Sequence, residues 1–321
     1  MQVLIAGAAG FLGSHLVDRL LGEGHQVVGV DDLSSGTMRN LLKASDHPHF
    51  QFFKSDVAQG LSEIPSDLRF DVVVNLASLA SPRLYQAQPL HTLKTGSLGT
   101  LALLELAARN DSRFVMASTS EIYGDPEVHP QNETYFGNVN PVGERSCYDE
   151  AKRFSEALCY TFREWGKHNV GVARIFNTYG PRLSPDDGRV VSNLLRCAVT
   201  GEPFSIYGDG LQTRSLCFVS DLIDGLCRLA SSHEFGPVNL GNPSEIAILD
   251  LVHEVEEVTG ESIIVQHIPA LSDDPKRRQP DISRARELLG WQPHISLQLG
   301  LVKTYEWMKA ELKSSKMDMN L

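Results

Sequence analysis

The sequence is short of positive charge and of the long apolar runs that mark membrane proteins. Its formal net charge is -11, which argues against non-specific binding to nucleic acid or to anionic lipid. No apolar run approaches the roughly 18 residues that a membrane helix needs, so we expect neither nucleic acid nor a membrane among its partners. The first predicted strand begins within the first three residues, and we therefore expect no signal peptide and a cytoplasmic location.

Cysteine is also scarce, and its spacing argues against the common metal sites. The 321 residues include five cysteines, with no CxxC pair and no ligand-like clustering. An odd number of scattered cysteines is typical of reduced, structural thiols in a reducing compartment. We predict no metal site. The cysteines are Cys147, Cys159, Cys197, Cys217 and Cys227.

The first half of the chain alternates short apolar runs with amphipathic segments, which is typical of parallel βαβ units. The predicted strands are residues 3–6, 26–30, 50–53, 72–76, 114–117 and 170–175. The predicted helices are residues 14–22, 91–109 and 148–168. Because βαβ crossovers are right-handed, these elements predict an α/β fold, a doubly wound parallel (Rossmann) sheet with helices on both faces.

Turn-rich stretches replace this pattern in the second half of the chain. We expect a Rossmann domain over residues 1–178 and a smaller, mainly substrate-binding C-terminal lobe over residues 179–312, the two packed around a cleft. A strand near residues 238–240 is expected to return to the main sheet. The end of the chain, residues 313–321, lacks a periodic pattern and is expected to be frayed.

A glycine-rich turn directly follows the first predicted strand. Gly7, Gly10 and Gly13 have the spacing G-x-x-G-x-x-G, with Phe11 and Leu12 between the last two. Gly7 permits a tight turn, Gly10 lets the backbone approach a pyrophosphate, and Gly13 lets the next helix pack against the strand. The helix N-terminus then presents free N–H groups to the phosphates. Glycines alone are a weak signal, but their place between a strand and a helix indicates a dinucleotide site.

Two carboxylates, Asp31 and Asp32, end the second predicted strand. A carboxylate at this place accepts hydrogen bonds from the adenosine ribose and repels a 2′-phosphate, which favours NAD over NADP. The alternative is an ordinary solvated aspartate. Further predicted cofactor contacts, at the adenine edge and then toward the nicotinamide, are Asp56, Val57, Leu76, Ala77 and Ser78.

A tyrosine and a lysine share one face of a predicted helix, because Tyr148 and Lys152 are four residues apart. A free tyrosine has a pKa near 10, and lowering it to about 7 takes roughly 4 kcal/mol of differential stabilisation. A neighbouring ammonium and the charged nicotinamide would together supply it. We therefore expect Tyr148 to act as a general base while hydride leaves the same carbon for NAD+. A Tyr-x-x-x-Lys pair alone is common by chance, but after this glycine turn it is far more specific.

These motifs, with the run from Arg174 to Pro181, resemble the extended short-chain dehydrogenase/reductase family. Within that family the chain is most similar to the UDP-glucuronate decarboxylases, also called UDP-xylose synthases, and the similarity extends to about Trp291. The matching stretches are residues 92–95, 117–121, 123–130, 147–150, 187–193, 212–214, 273–275, 278 and 280–282. The resemblance implies NAD-dependent conversion of UDP-glucuronate to UDP-xylose through a UDP-4-keto intermediate, with bound NAD+ recycled.

The resemblance also implies roles for the residues after the fifth strand. Related dehydratases have an Asp-Glu pair where this chain has Ser120-Glu121, and related epimerases have small or apolar residues there. In a decarboxylase, the oxidised C4 makes the C6 carboxylate part of a β-keto acid, so Thr119, Ser120 and Tyr148 become the expected hydroxyl contacts. Glu121 would act as base, acid or electrostatic group, or else as a purely structural carboxylate.

Substrate recognition is expected mainly in the second lobe. Arg189, Arg214 and Arg278 would neutralise the diphosphate, which arginine binds bidentately, although each could be an ordinary surface charge. Arg278 would otherwise hold the sugar carboxylate. Stacking on uracil falls to Tyr207, and Tyr85 is expected at the glucuronate end. The remaining predicted substrate contacts are Lys94, Asn177, Arg182 and Gln212.

Three departures from the decarboxylase pattern bear on the product. Leu79 and Arg83 change the usual Ser-Pro-Ala-Ser-Pro-Pro run, Gly96 stands where Asn is usual, and Glu144 stands where Pro is usual. They leave open the exact sugar and the release of a 4-keto product. The alternatives are therefore a UDP-sugar or UDP-uronate 4-epimerase and, from another class, a non-catalytic NAD-binding protein. The resemblance further implies a homodimer through the helices at residues 91–109 and 148–168.

Overall fold

The structure is a computed structural model that describes residues 1–269 and 277–318. Short strands, most of them in the first two thirds of the chain, form its framework. In chain order they are β1 (Gln2–Ala6), β2 (Gln26–Asp31), β3 (Phe50–Lys54), β4 (Val72–Asn75), β5 (Arg113–Thr119), β6 (Val170–Ile175), β7 (Thr178–Tyr179), β8 (Phe204–Tyr207), β9 (Thr213–Ser215), β10 (Cys217–Phe218), β11 (Val238–Leu240), β12 (Glu245–Ala247) and β13 (Val265–Ile268).

Helices connect and cover these strands. They are α1 (Phe11–Gly22), α2 (Leu42–Ser45), α3 (Pro82–Ala87), α4 (Pro89–Lys94), α5 (Thr100–Asn110), α6 (Ser146–Glu164), α7 (Val190–Thr200), α8 (Val219–Ala230), α9 (Ile248–Thr259), α10 (Ser283–Leu289) and α11 (Leu297–Asp318). A π-helical turn, Thr95–Gly99, joins α4 to α5, and 3₁₀ turns follow β3 and β5 at Val57–Gln59 and Ser120–Tyr123. Within residues 1–269 and 277–318, none of the helices combines the length and apolar composition that crossing a bilayer requires.

The main sheet has seven strands in the order β11-β6-β5-β4-β1-β2-β3, all parallel. This doubly wound sheet confirms the predicted fold class. Apolar side chains alternate between its two faces, so that Val3 and Ile5 join one core cluster while Leu4 and Ala6 join the other. Burial on both faces explains why these strands read as continuous apolar runs. Because all strands are parallel, their carboxyl ends meet at one edge, where ligands bind in such folds.

The second lobe is built from helices and three small two-stranded sheets. β7 pairs with β10, β8 with β13, and β9 with β12. The helices α7, α9 and α11 pack on one another and share a continuous core with one face of the main sheet. The strand β11 comes back from this lobe to the edge of the main sheet, beside β6.

The end of the chain differs from the expected frayed tail. The helix α11 continues to Asp318, so residues 313–318 are helical. The sequence from residue 301 to 318 contains no glycine or proline, and good helix formers extend a helix that packing has already started. Residues 319–321 lie outside the described part of the chain, as do the matching residues 273–275 of the second lobe.

Candidate active site

The turn after β1 has no room for side chains at two of its glycines. Gly7 has φ +80°, and a Cβ there would lie 2.8 Å from the backbone of Leu76 and Ala77. A Cβ on Gly13 would lie 1.9 Å from the carbonyl oxygen of Gly7. Gly10 caps the N-terminus of α1, while Phe11 and Leu12 pack against the core. The backbone of Gly7 and Gly10, at the head of this helix, lines a cleft together with the end of β2 and the turn after β4.

A buried carboxylate stands beside this turn. Asp31 accepts hydrogen bonds from the backbone N–H of Ala9 at 2.9 Å and of Leu33 at 2.8 Å, and burial raises the pKa of its carboxyl. Asp31 thus ties the glycine turn to the end of β2. Each carboxylate oxygen has two lone pairs, so acceptor capacity remains toward the cleft, which Asp31 and Asp32 both line.

The structure brings the other predicted cofactor residues to the same cleft. Its lining includes Asp56, Val57, Leu76, Ala77 and Ser78. It also includes two residues that the sequence analysis missed, His91 and Thr95. They come from α4 and the π turn, which packs against the 3₁₀ turn at Val57–Gln59. No motif in the sequence signals this contact, because it depends on how two loops pack.

His91 bridges two acidic side chains at the cleft. Its Nε2 lies 3.1 Å from a carboxylate oxygen of Asp32, and its Nδ1 lies 3.9 Å from one of Asp56. Thr95 is buried, and its hydroxyl has no hydrogen-bond partner within the described residues. An unpaired buried hydroxyl costs free energy, so a ligand with a polar group there would relieve that cost.

These features fit a bound dinucleotide. Backbone N–H groups at the helix N-terminus suit the pyrophosphate, and the carboxylates at the end of β2 suit ribose hydroxyls. Among the described residues that line the cleft, none is a lysine or arginine that could pair with a 2′-phosphate. The residues therefore suit NAD better than NADP.

Tyr148 and Lys152 lie together on the buried face of α6. The Tyr148 ring stacks on that of Tyr85, with 5.1 Å between centroids and 8° between planes, and Leu79 packs in the same cluster. Lys152 Nζ donates to the carbonyl oxygen of Ala117 at 2.9 Å and lies 5.9 Å from the Tyr148 ring centroid. Both side chains are thereby held in one orientation.

Burial decides the protonation of this pair. It raises the pKa of Tyr148 to about 12, against a hydrogen bond with Thr119 that lowers it. It lowers the pKa of Lys152 to about 8. In the ligand-free protein the tyrosine therefore favours its neutral form, and the lysine holds its proton less strongly than it would in water. The expected Tyr148 pKa near 7 is therefore not reached by the protein alone, because desolvation outweighs a single ammonium that faces a carbonyl oxygen.

A second charged cluster surrounds Glu121. The hydroxyl of Thr119 caps the 3₁₀ turn after β5 by accepting from the Glu121 N–H at 3.3 Å, and Ser120 is buried beside it. Arg278 binds both carboxylate oxygens of Glu121, with Nη2 to Oε2 at 3.0 Å, and Arg145 binds from the other side. Burial alone would raise the pKa of Glu121, but the two guanidinium groups outweigh it and hold the pKa below its ordinary value. Glu121 is therefore ionised.

Two members of this cluster were not predicted as site residues. The sequence patterns gave no role to Arg145, and they included Asp149 only in the matching stretch at residues 147–150. They are four residues apart at the start of α6 and so share a face. Asp149 is buried, and its Oδ1 has no hydrogen-bond partner among the described residues. Burial and then the charge of Glu121 raise its pKa to about 7.

The predicted substrate residues make the following contacts. Tyr85 and Arg189 are near Tyr148, and Arg189 is held by Asp187, with Nη2 to Oδ2 at 2.9 Å. Arg278 lies on Glu121. In the lobe, Gln212 Nε2 donates to the Tyr207 carbonyl at 2.9 Å and Arg214 Nη1 to that of Thr213 at 2.8 Å. The remaining predicted residues are Arg182, which pairs with Asp18 of α1 at 2.7 Å, Lys94, which is exposed on α4, and Asn177, whose carbonyl accepts from the N–H of Cys217 at 2.9 Å.

One departure from the decarboxylase pattern has a packing explanation. A Cβ on Gly96 would lie 2.6 Å from the Cβ of Ala151, and the hydroxyl of Ser155 donates to the Gly96 carbonyl at 2.6 Å. Gly96 therefore allows the π turn to pack closely on α6. Leu79, the other departure near the site, is buried against Tyr148.

The parallel Rossmann sheet, the glycine turn and the buried tyrosine–lysine pair define a dinucleotide-dependent enzyme of the short-chain dehydrogenase type. The family model described as the NAD dependent epimerase/dehydratase family matches residues 3–241, and the chain belongs to this family. NAD is accordingly the cofactor for which the cleft is built.

Three comparisons refine this placement. The chain is 46% identical to UDP-glucuronic acid decarboxylase 1 of Danio rerio over 312 residues, which cover 97% of this chain and 73% of the relative. It is 48% identical to UDP-glucuronic acid decarboxylase 1 of Arabidopsis thaliana over 301 residues, covering 94% and 68%. It also superposes on UDP-glucuronic acid 4-epimerase from Bacillus cereus, solved with UDP-glucuronic acid and NAD, with a TM-score of 0.85, 28% identity, and coverage of 97% and 100%.

The protonation of Tyr148 leads to a direct test. Without NAD+, the difference in absorbance at 295 nm between the wild-type protein and Tyr148→Phe should show no phenolate between pH 7 and 10. With saturating NAD+, about one phenolate should appear in that range, because the positive nicotinamide stabilises it. Ionisation near pH 7 without NAD+ would contradict the dominance of burial.

Turnover gives a second test of Tyr148. The Tyr148→Phe variant should retain NAD+ binding and lose at least about 100-fold in turnover, since a general-base step is typically worth 10²–10⁴-fold.

Proposed function

We propose that this protein decarboxylates UDP-glucuronate to UDP-xylose through a UDP-4-keto intermediate, with bound NAD+ recycled. The observation that carries the proposal is the ionised Glu121, held between Arg145 and Arg278 at the end of β5 near Tyr148. Relatives 46% and 48% identical over nearly the whole chain are UDP-glucuronic acid decarboxylases, which supports the same substrate and reaction here.

The charge of the cluster suits a sugar with a carboxylate. Two guanidinium groups face one ionised carboxylate, Glu121, so these three side chains carry one net positive charge. Asp149, whose pKa is raised to about 7, adds a negative charge only when it is deprotonated. A uronate carboxylate would neutralise the excess, whereas a neutral hexose would leave it buried and uncompensated, which is costly.

The chain's own residues account for the remaining steps. NAD, when bound, supplies reversible oxidation at C4 of the sugar. Tyr148 takes the proton of the C4 hydroxyl. Once C4 is a ketone, the C5–C6 bond breaks, CO₂ leaves, and the bonding electrons move to the C4 oxygen, where the hydroxyls of Tyr148 and Ser120 donate hydrogen bonds. One such donor is typically worth about 10²–10³ in rate. A proton from solvent then adds at C5, and Tyr148 returns its proton to the C4 oxygen when C4 is reduced again.

The neutral state of Tyr148 fits the second of these roles. Once Tyr148 has taken the C4 proton it is a neutral hydroxyl, and its burial, which raises the pKa to about 12 in the ligand-free protein, favours that form, so it can donate to the enolate that forms when CO₂ leaves. Thr119 orients both Tyr148 and the turn that carries Ser120 and Glu121. In the lobe, Tyr207, Gln212 and Arg214 form a group that suits the uridine diphosphate end.

The second candidate function is 4-epimerisation of a UDP-uronate or UDP-hexose. It is favoured by the structural likeness to a UDP-glucuronic acid 4-epimerase. An epimerase has no step that needs Glu121 and two arginines beyond C4 oxidation, so this cluster favours decarboxylation. A non-catalytic NAD-binding role is disfavoured because Tyr148 and Lys152 are both present and held together.

Product analysis tests the proposed function. Purified protein incubated with UDP-glucuronate and NAD+ should release CO₂ and give UDP-xylose, identified by NMR, without accumulating NADH. Retention of C6 with inversion at C4 would instead establish the epimerase. NADH formed one-for-one with CO₂ would show that a 4-keto pentose is released.

Substitutions in the Glu121 cluster should separate the two halves of the reaction. In single turnovers, Glu121→Gln and Arg278→Ala should still form NADH, because C4 oxidation does not need them. CO₂ release should fall at least about tenfold, a barrier increase of about 1.4 kcal/mol. Matched controls are Glu150→Gln, whose side chain is 38% exposed on α6, and Arg277→Ala, the exposed neighbour of Arg278. Wild-type CO₂ release in both cluster variants would make Glu121 and Arg278 structural.

We also propose a homodimer in the cytoplasm. An apolar face made of Leu90, Leu93, Leu98 and Phe154 is 38% to 71% exposed, and it lies on α4, the π turn and α6, which pack together. Exposed apolar patches of this kind mark interfaces. All five cysteines carry free thiols, which supports a reducing compartment.

Mass measurement by light scattering tests the dimer. Phe154→Asp should halve the mass of the particle, because a buried carboxylate in an apolar interface is strongly unfavourable. Leu42→Asp, at a residue 66% exposed on α2, is the control and should keep the wild-type mass. A wild-type protein that is already monomeric would overturn the dimer proposal.

A further inference from the structure

The motif that follows Glu121, at residues 123–130, is not used by the reaction as described above. It begins at Tyr123, which ends the same 3₁₀ turn as Glu121, and it leads directly into Gln131. Both residues are fully buried, with 1% and 0% of their surfaces exposed. Fully buried polar side chains are retained in proteins where hydrogen bonds satisfy them, so their partners indicate what this motif does.

Gln131 is hydrogen-bonded to the segment that carries Arg278. Its N–H donates to the Gln279 carbonyl at 2.8 Å, and its Oε1 accepts from the Gln279 N–H at 2.9 Å. Its carbonyl accepts from the Asp281 N–H at 2.8 Å. Pro280, the bridge partner of Gln131, has no N–H, so the bonds fall on the residues at either side of it.

The hydrogen bonds between Gln131 and residues 279–281 form a seam, and Asn239 anchors this seam to the main sheet. From β11, its Nδ2 donates to the Gln131 carbonyl at 2.9 Å and to the Asp281 carbonyl at 3.0 Å. Its Oδ1 accepts from the Tyr123 hydroxyl at 2.8 Å, and that hydroxyl in turn accepts from Arg174 Nη1 at 3.0 Å. The turn with Glu121 and the segment with Arg278 are therefore joined to one strand through Asn239.

We propose that Gln131 is a positioning residue that holds Arg278 on Glu121, an inference that rests on the proposed function. Between residues 277 and 282 the only regular backbone pairing in the described chain is the bridge at Pro280. The ion pair with Glu121 joins two side-chain ends, so the bonds to Gln131 supply backbone hydrogen bonds at the residue next to Arg278. Displacing a positioned group by about 1 Å can cost on the order of 10²-fold in rate.

Gln131→Met tests this role. Methionine has a similar length and leaves the main-chain bonds of residue 131, but it removes the acceptor for the Gln279 N–H and the Nε2 donor to the Val128 carbonyl. In single turnovers with UDP-glucuronate, NADH should form at close to the wild-type rate while CO₂ release falls at least about tenfold. A general loss of structure would slow both steps equally, and thermal unfolding checks the fold.

A double-mutant cycle separates positioning from mere stability. In an Arg278→Ala background, Gln131→Met should reduce CO₂ release by less than about twofold, since its effect passes through Arg278. Equal losses in both backgrounds, or wild-type CO₂ release in folded Gln131→Met, would overturn the proposal. If that variant does not fold, Tyr123→Phe, which removes only the bond to Asn239 and the acceptor for Arg174, should show the same non-additive pattern with a smaller loss.

Amide hydrogen exchange gives a readout without turnover. Gln131→Met should speed exchange at Gln279 and Asp281 at least about tenfold, and unchanged exchange there would overturn the anchoring. A wild-type protein that releases no CO₂ while the variant shows faster exchange would refute the proposed function and leave the anchoring supported.

Discussion

A carboxylate stays charged inside a protein only where cations and hydrogen bonds replace the water that it has lost. Glu121 meets this condition with guanidinium groups from two distant parts of the chain, Arg145 at the start of α6 and Arg278 from the second lobe. The end of β5, α6 and the lobe must therefore meet at one point for the cluster to exist. Asn239 contributes to this meeting point, because its side chain is hydrogen-bonded to Tyr123, Gln131 and Asp281.

The same loss of water governs the catalytic pair. Burial pushes the pKa of Tyr148 upward and that of Lys152 downward, so both groups favour their neutral forms more than they would in water. A neutral phenol suits hydrogen bonding to a developing oxyanion, and a phenolate suits proton removal from C4. A bound NAD+, through the positive charge of its nicotinamide, would favour the phenolate of Tyr148.

The sequence allowed the fold class to be predicted, together with residues that the structure brings to one cleft, because short-range patterns carry that information. The glycine turn, the aspartates at the end of β2 and the spacing of Tyr148 and Lys152 are readable from strand and helix periods. The roles of Arg145, Asp149, His91 and Thr95 were missed, because they depend on which loops pack together. The raised pKa of Tyr148 in the ligand-free protein could not be predicted for a related reason, since the depth of burial is a property of the folded core. The helical residues 313–318 were expected to be frayed because α11 has only a weak apolar stripe there.

The close contact between Gly96 and Ala151 has a consequence for the cleft. A methyl group on Gly96 would overlap the Ala151 side chain, and Ala151 directly precedes Lys152. Tightly packed interiors transmit strain. A larger residue at position 96 would therefore push the π turn, which carries Thr95 of the cleft, away from the helix that carries Lys152.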